Sequence, residues 1–255
     1  PPVVAAASAS TQVTGASVSG VFAHMKRGGV DFQMGAVLVF GGIFGTAAGA
    51  AIFEILEALG QIDTVINILY VVMLGSIGGL MAKESLTSVR ATRAGKPVPA
   101  AKRRHHPLVA NLPMRWRFYR SGLYISPLAP LILGFITGIM TMLLGVGGGF
   151  IMVPAMLYLL GMGAQVVVGT SLFQILFVTM ASTMMHSLTT KAVDIVLAVF
   201  LLIGSVTGAQ IGARLAQRMR PEYLRLFLAI IVLLVFLLMM NAVAIVLRRR
   251  FERRW

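Results

Sequence analysis

Cysteine is absent from the 255 residues, which excludes disulfides, thiolate metal sites and cysteine nucleophiles while leaving the compartment open. Charge is scarce. Only 12% of residues are Asp, Glu, Lys or Arg, against about 25% in a soluble globular chain. Acids are the scarcer sign, 8 against 22 Lys and Arg. Hydrophobic residues make up 58% of the chain and the mean hydropathy is +0.88. Polar surface is too sparse to cover a water-soluble core of this size, so the chain belongs in a bilayer. An enzyme at membrane depth would need a nucleophile with its base, or clustered acids or histidines, and the apolar stretches carry none.

A net charge of +14 suggests either nucleic acid or a membrane surface, and its distribution decides between them. Nine cations fall between Arg90 and Arg120, and five more close the chain (Arg248, Arg249, Arg250, Arg253, Arg254). The long apolar stretches between are almost free of charge, the pattern of positive-inside loops. Few aromatics interleave with the cations beyond Trp116, Phe118 and Tyr119, which argues against nucleic acid. The partner of these runs is the anionic headgroup layer of a bilayer.

Val3–Phe22, Phe32–Ile55 and Val65–Leu86 are each long enough to cross a core of about 30 Å. A polar stretch broken by Pro97, Pro99, Pro107 and Pro113 follows. Beyond it come Leu128–Leu144, the short Phe150–Leu160, Val166–Met185, Val193–Leu215 and Tyr223–Leu247. The pattern predicts an all-α fold, a polytopic transmembrane helical bundle. Its parts are a first transmembrane repeat over 1–89, a basic cytoplasmic loop over 90–127, a second repeat over 128–247 and a basic tail over 248–255. Phe150–Leu160 carries Pro154 and is too short to span alone, so Leu128–Leu160 reads as a helix broken at Gly145–Gly149. A cytoplasmic 90–120 loop puts Lys26 and Arg27 on its own side and the cation-free turn Leu59–Asp63 opposite. If Phe150–Leu160 crosses, the Arg218/Arg220 loop is inside and the arginine tail outside; if it re-enters, the two swap. Both choices leave several cations on the wrong side, and repeats of inverted and of parallel topology both stay open.

The chain repeats itself. Gln12 and His24 fall on Gln174 and His186 at an offset of 162. One residue later Val30-Asp31 falls on Val193-Asp194, and Gly45 and Gly49 meet Gly208 and Gly212. Two tandem copies suggest a transporter built around a pseudo-twofold axis. Gly41, Gly45 and Gly49 lie four apart on one face, as do Gly204, Gly208 and Gly212, which suits close helix packing in lipid. Gly145 of the second copy has its counterpart before residue 1, so the repeat predicts at least thirty further residues upstream, carrying one more broken helix.

The segment Gly145-Val146-Gly147-Gly148-Gly149-Phe150-Ile151-Met152-Val153-Pro154 opens the backbone and starts a half-helix. Pro154 in its first turns removes a donor that would lack an acceptor. Free N–H groups and the positive end of the helix dipole then make an anion site from backbone. The alternative is a packing kink. As a nucleotide motif the segment is poor, since no strand precedes the glycines and no Gly-Lys-Ser/Thr follows them.

Gly134, Gly145–Gly149 and Pro154, Val168-Gly169-Thr170-Ser171-Leu172, His186, Val193-Asp194 and Gly204–Gly212 together resemble the TauE/SafE sulfite-exporter family. Pro1-Pro2-Val3-Val4-Ala5 through Gln12, Val18-Ser19-Gly20, His24, Val30-Asp31 and Gly41-Gly42 resemble that family's first repeat entered partway. The resemblance implies a multi-pass protein of the bacterial inner membrane exporting sulfite, sulfoacetate or a related organosulfonate. The expected site holds a small anionic substrate between the repeats on the N–H groups of Gly145, Gly147, Gly148 and Gly149. Thr170, Ser171 and Gln174 complete it from one repeat, with Ser8, Thr11 and Gln12 at matching positions in the other. Hydroxyls and amides donate without a fixed charge and so bind without trapping. For each hydroxyl the competing reading is a bond to its own helix backbone; an amide in hydrocarbon needs a partner.

His24 and His186 lie at helix ends beside Asp31 and Asp194 in sequence, where His–carboxylate pairs would couple export to a proton gradient. Plain interfacial polar residues are the alternative. His105 and His106 sit among arginines, which disfavours metal, and no cofactor is called for. The sequence leaves substrate, coupling ion, direction and oligomeric state open. A passive anion channel would share the glycine break and differs only in failing to accumulate its solute.

Overall fold

The structure, a computed structural model, describes residues 2–26, 28–93, 113–189, 194–218 and 230. Tyr223–Leu247 apart from Ile230, the arginine tail, His105 and His106 lie outside the described residues. The chain divides into two compact units, Pro1–Asp63 with Arg103–Thr207, and Thr64–Lys102 with Gly208–Trp255.

Seven helices are present among the described residues: α1 (Pro2–Lys26), α2 (Phe32–Ala58), α3 (Ile62–Arg93), α4 (Leu128–Leu144), α5 (Gly149–Tyr158), α6 (Ala164–Thr189) and α7 (Ile195–Arg218). By length and composition, Phe32–Ala58 and Val166–Thr189 can each cross a membrane. α3 continues past residue 89 to Arg93. The basic 90–127 stretch, expected to be a loop, holds an antiparallel hairpin, β1 (Trp116–Phe118) and β2 (Leu123–Ile125), so the described fold is helical with one small β element.

Local chemistry sets the ends of these helices. Gly28 at φ +67° closes α1: its N–H bonds to the Met25 carbonyl at 2.9 Å, and the Gly29 N–H to that of His24 at 2.9 Å. Gly60 at φ +66° closes α2 with the same pair of bonds, to Glu57 and Leu56. Asp31 starts α2, its carboxylate accepting from Met34 N–H at 3.0 Å. Asp194 does the same for α7 at Leu197 N–H, also 3.0 Å.

In the first unit, α2 lies on α4 through glycines. A Cβ at Gly41 or Gly45 would collide with the backbone of Leu131 or Phe135, and one at Gly134 or Gly138 with that of Leu38 or Gly42. Helices this close gain dispersion and lose no side-chain entropy, which is how they associate where lipid is as apolar as leucine. The packing reading of the first glycine trio therefore holds. Around Gly204 and Gly208 no described atom lies within 4 Å, so these two of the second trio pack on nothing among the described residues.

α1 is rich in hydroxyls yet sits inside the bundle because they are satisfied locally. Ser10, Thr11 and Thr14 donate to the carbonyls of Ala6, Ala7 and Ser10. α1 and α6 run antiparallel: Gly169 packs against Gly29 and His24 at one end of α1, and Asp194, beyond the end of α6, reaches Ser8 near the other. Ser8 and His24 are about 24 Å apart at a helical rise of ~1.5 Å per residue.

The hairpin docks on one end of this unit. Phe118, Leu123 and Ile125 are buried with Met152, Met156, Leu160 and Met162 from α5 and the loop after it, and with Met34, Leu133 and Val167. Opposite them Arg120 donates through Nε and Nη2 to the Gly28 carbonyl at 2.9 and 2.8 Å, and Ser121 donates to the Asp31 carboxylate from N–H and hydroxyl. Leu133 near the start of α4 and Met156 and Leu160 at the end of α5 thus share one core with the hairpin. In the second unit, Ile66 and Met73 on α3 are buried.

Candidate functional site

α4 stops at Leu144 and α5 starts at Gly149. Three of the four intervening positions are glycines with left-handed backbone: Gly145 (φ +70°), Gly147 (φ +74°) and Gly148 (φ +68°). A Cβ-bearing residue in that region costs about 1–2 kcal/mol, which is why the sequence spends glycine here. Gly145 is used structurally. Its N–H caps α4 at the Thr141 carbonyl (2.8 Å), and a side chain on it would strike the backbone of Ala6. The N–H groups of Gly147, Gly148 and Gly149 have no acceptor among the described residues. Two consecutive left-handed residues leading into a helix N-terminus leave successive N–H groups for an anion.

The break lies beside the middle of two long helices. A Cβ at Gly147 would come within 2.8 Å of Val13 Cγ1, 3.1 Å of Thr179 Cγ2 and 3.2 Å of Ile175 Cγ2, close to the midpoints of α1 and α6. Pro154 is the sixth residue of α5, past the first turn. It therefore denies the Phe150 carbonyl its helical partner rather than sparing an unpaired donor.

The side chains expected around the break divide. Thr170 is fully buried, and its hydroxyl accepts from the Asp31 N–H at 2.9 Å. Ser8, equally buried, accepts from the Asp194 N–H at 3.2 Å. The two bonds are reciprocal, tying α1 to the start of α7 and α6 to the start of α2. Ser171 and Thr11 donate to the carbonyls of Val168 and Ala7 in their own helices. Gln12 is half-buried, with no hydrogen bond to its amide among the described residues. Gln174 is fully buried between α2, α4 and α6: its Nε2 lies 3.4 Å from Thr137 Oγ1, and its Oε1 has no partner.

Thr137 and Thr141 had not been singled out from the sequence. A Cβ at Gly148 would lie 3.1 Å from Thr137 Cβ and 3.2 Å from Thr141 Oγ1, so these threonines join the break to Gln174. Their signal was available: two hydroxyls one turn apart, just before the glycines.

The ionisable residues do not pair as expected. The Asp31 carboxylate is taken up by Met34 and Ser121, and that of Asp194 by Leu197. Neither forms an ion pair with a histidine among the described residues. His24 packs at Gly169. His186 is fully buried, its Nε2 2.9 Å from the Met142 carbonyl in the last turn of α4 and its ring edge-to-face with Phe53 at 5.4 Å. Among the described residues no three His, Asp or Glu side chains group to hold a metal.

The model of the sulfite exporter TauE/SafE family matches residues 1–239 of the 255. No curated protein and no solved structure matches the chain. The chain belongs to the TauE/SafE family, whose members are integral-membrane exporters rather than enzymes, and it is a membrane protein on that ground.

Proposed function

We propose that this member of the TauE/SafE family is a multi-pass secondary transporter of the bacterial inner membrane exporting a small sulfur-containing anion, sulfite or an organosulfonate. Its substrate sits on the N–H groups of Gly147, Gly148 and Gly149, beside Gln174. The observation that carries this reading is three neighbouring backbone donors without acceptors among the described residues at the start of α5, beside the midpoints of two long helices. A pyramidal or tetrahedral oxyanion presents several acceptor oxygens to such a cradle. No lysine or arginine stands among the residues packed against the glycines, so binding rests on dipoles and release stays fast.

We read α4–α5 as one element broken at mid-depth that returns to its own side, and the chain as two inverted repeats. The antiparallel course of α1 and α6, with the Asp31–Thr170 and Asp194–Ser8 bonds at opposite ends, supports inversion. Paired inverted repeats with a discontinuous helix at their interface are a common basis for alternating access. Of the four ionisable candidates, His186 is the one whose surroundings support a part in proton coupling, since Asp31 and Asp194 serve as helix caps.

The test is uptake of radiolabelled sulfite into inside-out vesicles carrying the protein, with and without an imposed pH gradient, and with taurine and sulfate as competitors. Saturable uptake that Gly148→Leu and Gln174→Leu both abolish at unchanged membrane expression is the expected result. Accumulation above equilibrium marks coupled transport, and equilibration alone marks a channel. No saturable flux of any sulfur anion overturns the substrate class.

A further inference from the structure

From the glycine break toward the end of the bundle away from the hairpin, α6 carries Thr179, Thr183 and Ser187, one turn apart on a single face. α1 faces them with Thr11 and Thr14. The Thr14 and Thr179 hydroxyls meet at 2.8 Å, and the Thr179 methyl is the one Gly147 packs beside. Beyond that contact the two helices part to leave a cleft of about 320 Å³, lined by Thr11, Thr14, Thr183, Ser187, Met180 and Met184 among others. The Thr183 hydroxyl oxygen is buried and has no hydrogen-bond partner among the described residues, although a helix-interior threonine ordinarily bonds back to its own turn. A buried hydroxyl left unpaired costs stability unless something arrives to bond it.

We propose that this cleft is a second anion-binding site, the vestibule through which the substrate passes between the glycine cradle and the aqueous face opposite the hairpin. The inference rests on the anion reading of Gly147–Gly149 for the identity of its ligand, and on the cleft itself for its place. Its volume falls at the lower end of the range of small-molecule pockets. It holds a four- or five-atom oxyanion with several waters at about 30 Å³ each. Thr183 and Ser187 supply neutral hydroxyl donors along it, while Thr11 and Thr14 donate to their own helix, and the thioether side chains of Met180 and Met184 provide a polarisable wall without charge. The opposite route is shut by packed apolar side chains, because Phe118, Met152, Met156 and Leu160 fill the hairpin end. Among the described residues of this unit, the break is therefore open toward the cleft and filled toward the hairpin.

The absence of native cysteine makes the test direct. Thr183→Cys and Ser187→Cys are near-isosteric, and Phe200→Cys on the exposed face of α7 serves as the lipid-facing control. Each is treated in sealed vesicles with methanethiosulfonate ethylsulfonate, a membrane-impermeant sulfonate, and with its trimethylammonium counterpart. The expected result is modification of both cleft positions at least tenfold faster than at 200, with the anionic reagent favoured and millimolar ethanesulfonate slowing it severalfold. Rates no faster than the control, or no protection by ethanesulfonate, overturn the proposal. Protection without sulfite transport by the native chain leaves the cleft standing and removes the substrate class. Transport with both cysteines inert removes the cleft and leaves the glycine site.

Discussion

Two similar hydrogen bonds at opposite ends of α1 differ in what surrounds them, and their loss is expected to cost different amounts. Thr170 and Asp31 are both buried, whereas Asp194 is exposed beside its partner Ser8. Thr170→Val leaves the Asp31 N–H without an acceptor in a place water does not reach, a cost of about 1–3 kcal/mol. In Ser8→Ala, water reaches the Asp194 N–H, and the cost falls below about 1 kcal/mol. Denaturant unfolding in detergent micelles compares the two; equal losses would mean that burial does not set the worth of these bonds. The same positions show how far single residues were legible. Hydroxyl and amide types pointed to polar work at Thr170, Ser8 and Gln174. Nothing local revealed that Thr170 serves a backbone group 139 residues away, because that partnership exists only once α2 and α6 pack. Thr11 and Ser171 followed the bland alternative of bonding their own helices, while the glycines were legible because positive φ has few other tenants.

Among elements, the α2–α4 contact is the most demanding. Backbone lies against Gly45 and Gly138 with no flexible side chain to give way. Gly45→Val is expected to cost more than about 3 kcal/mol, above the usual range for overpacking, while Gly204→Val, facing open space, stays within about 1 kcal/mol. Thermal unfolding of both variants checks this, and a stable Gly45→Val would break the packing argument. Spacing alone marked both glycine trios equally; the difference is tertiary and lies outside what one helix can encode. The hairpin was hidden for a related reason. Three-residue strands in a basic, proline-broken stretch carry almost no periodic signal, and they exist because Phe118, Leu123 and Ile125 have the methionines and leucine of α5 to cover. Phe118→Ala removes about 3–5 kcal/mol of burial. The loss is expected to open the hairpin locally, read as faster tryptic cleavage at Arg115, Arg117 and Arg120, with the helices still protected. Cleavage unchanged from the native chain would show that the hairpin is held by Arg120 and Ser121 alone.

At the scale of the whole chain, hydropathy marked where helices lie, but the direction of travel past the glycine break was undecided between two topologies. Length could not settle it, since ten residues of α5 rise only about 15 Å and suit a crossing and a re-entry about equally. The end of α5 shares a core with the hairpin from which α4 departs, which favours re-entry. This fixes a sided prediction. Single cysteines at Tyr119 in the hairpin and Gly163 after α5 are expected to react with impermeant maleimide from one face of the membrane. Cysteines at Gly60, between α2 and α3, and Leu188, near the end of α6, react from the other. By the positive-inside rule the Tyr119 face is expected to be the cytoplasmic one, because Lys26 and the cations around the hairpin lie there. If Gly163→Cys labels with Gly60→Cys, α5 has gone through, α6 runs parallel to α1, and the repeats are not inverted. If it labels with Tyr119→Cys, α1 and α6 cross the bilayer in opposite senses. The cradle at Gly147–Gly149 then lies where the two senses meet, at the one depth an inverted pair of repeats presents equally to both sides.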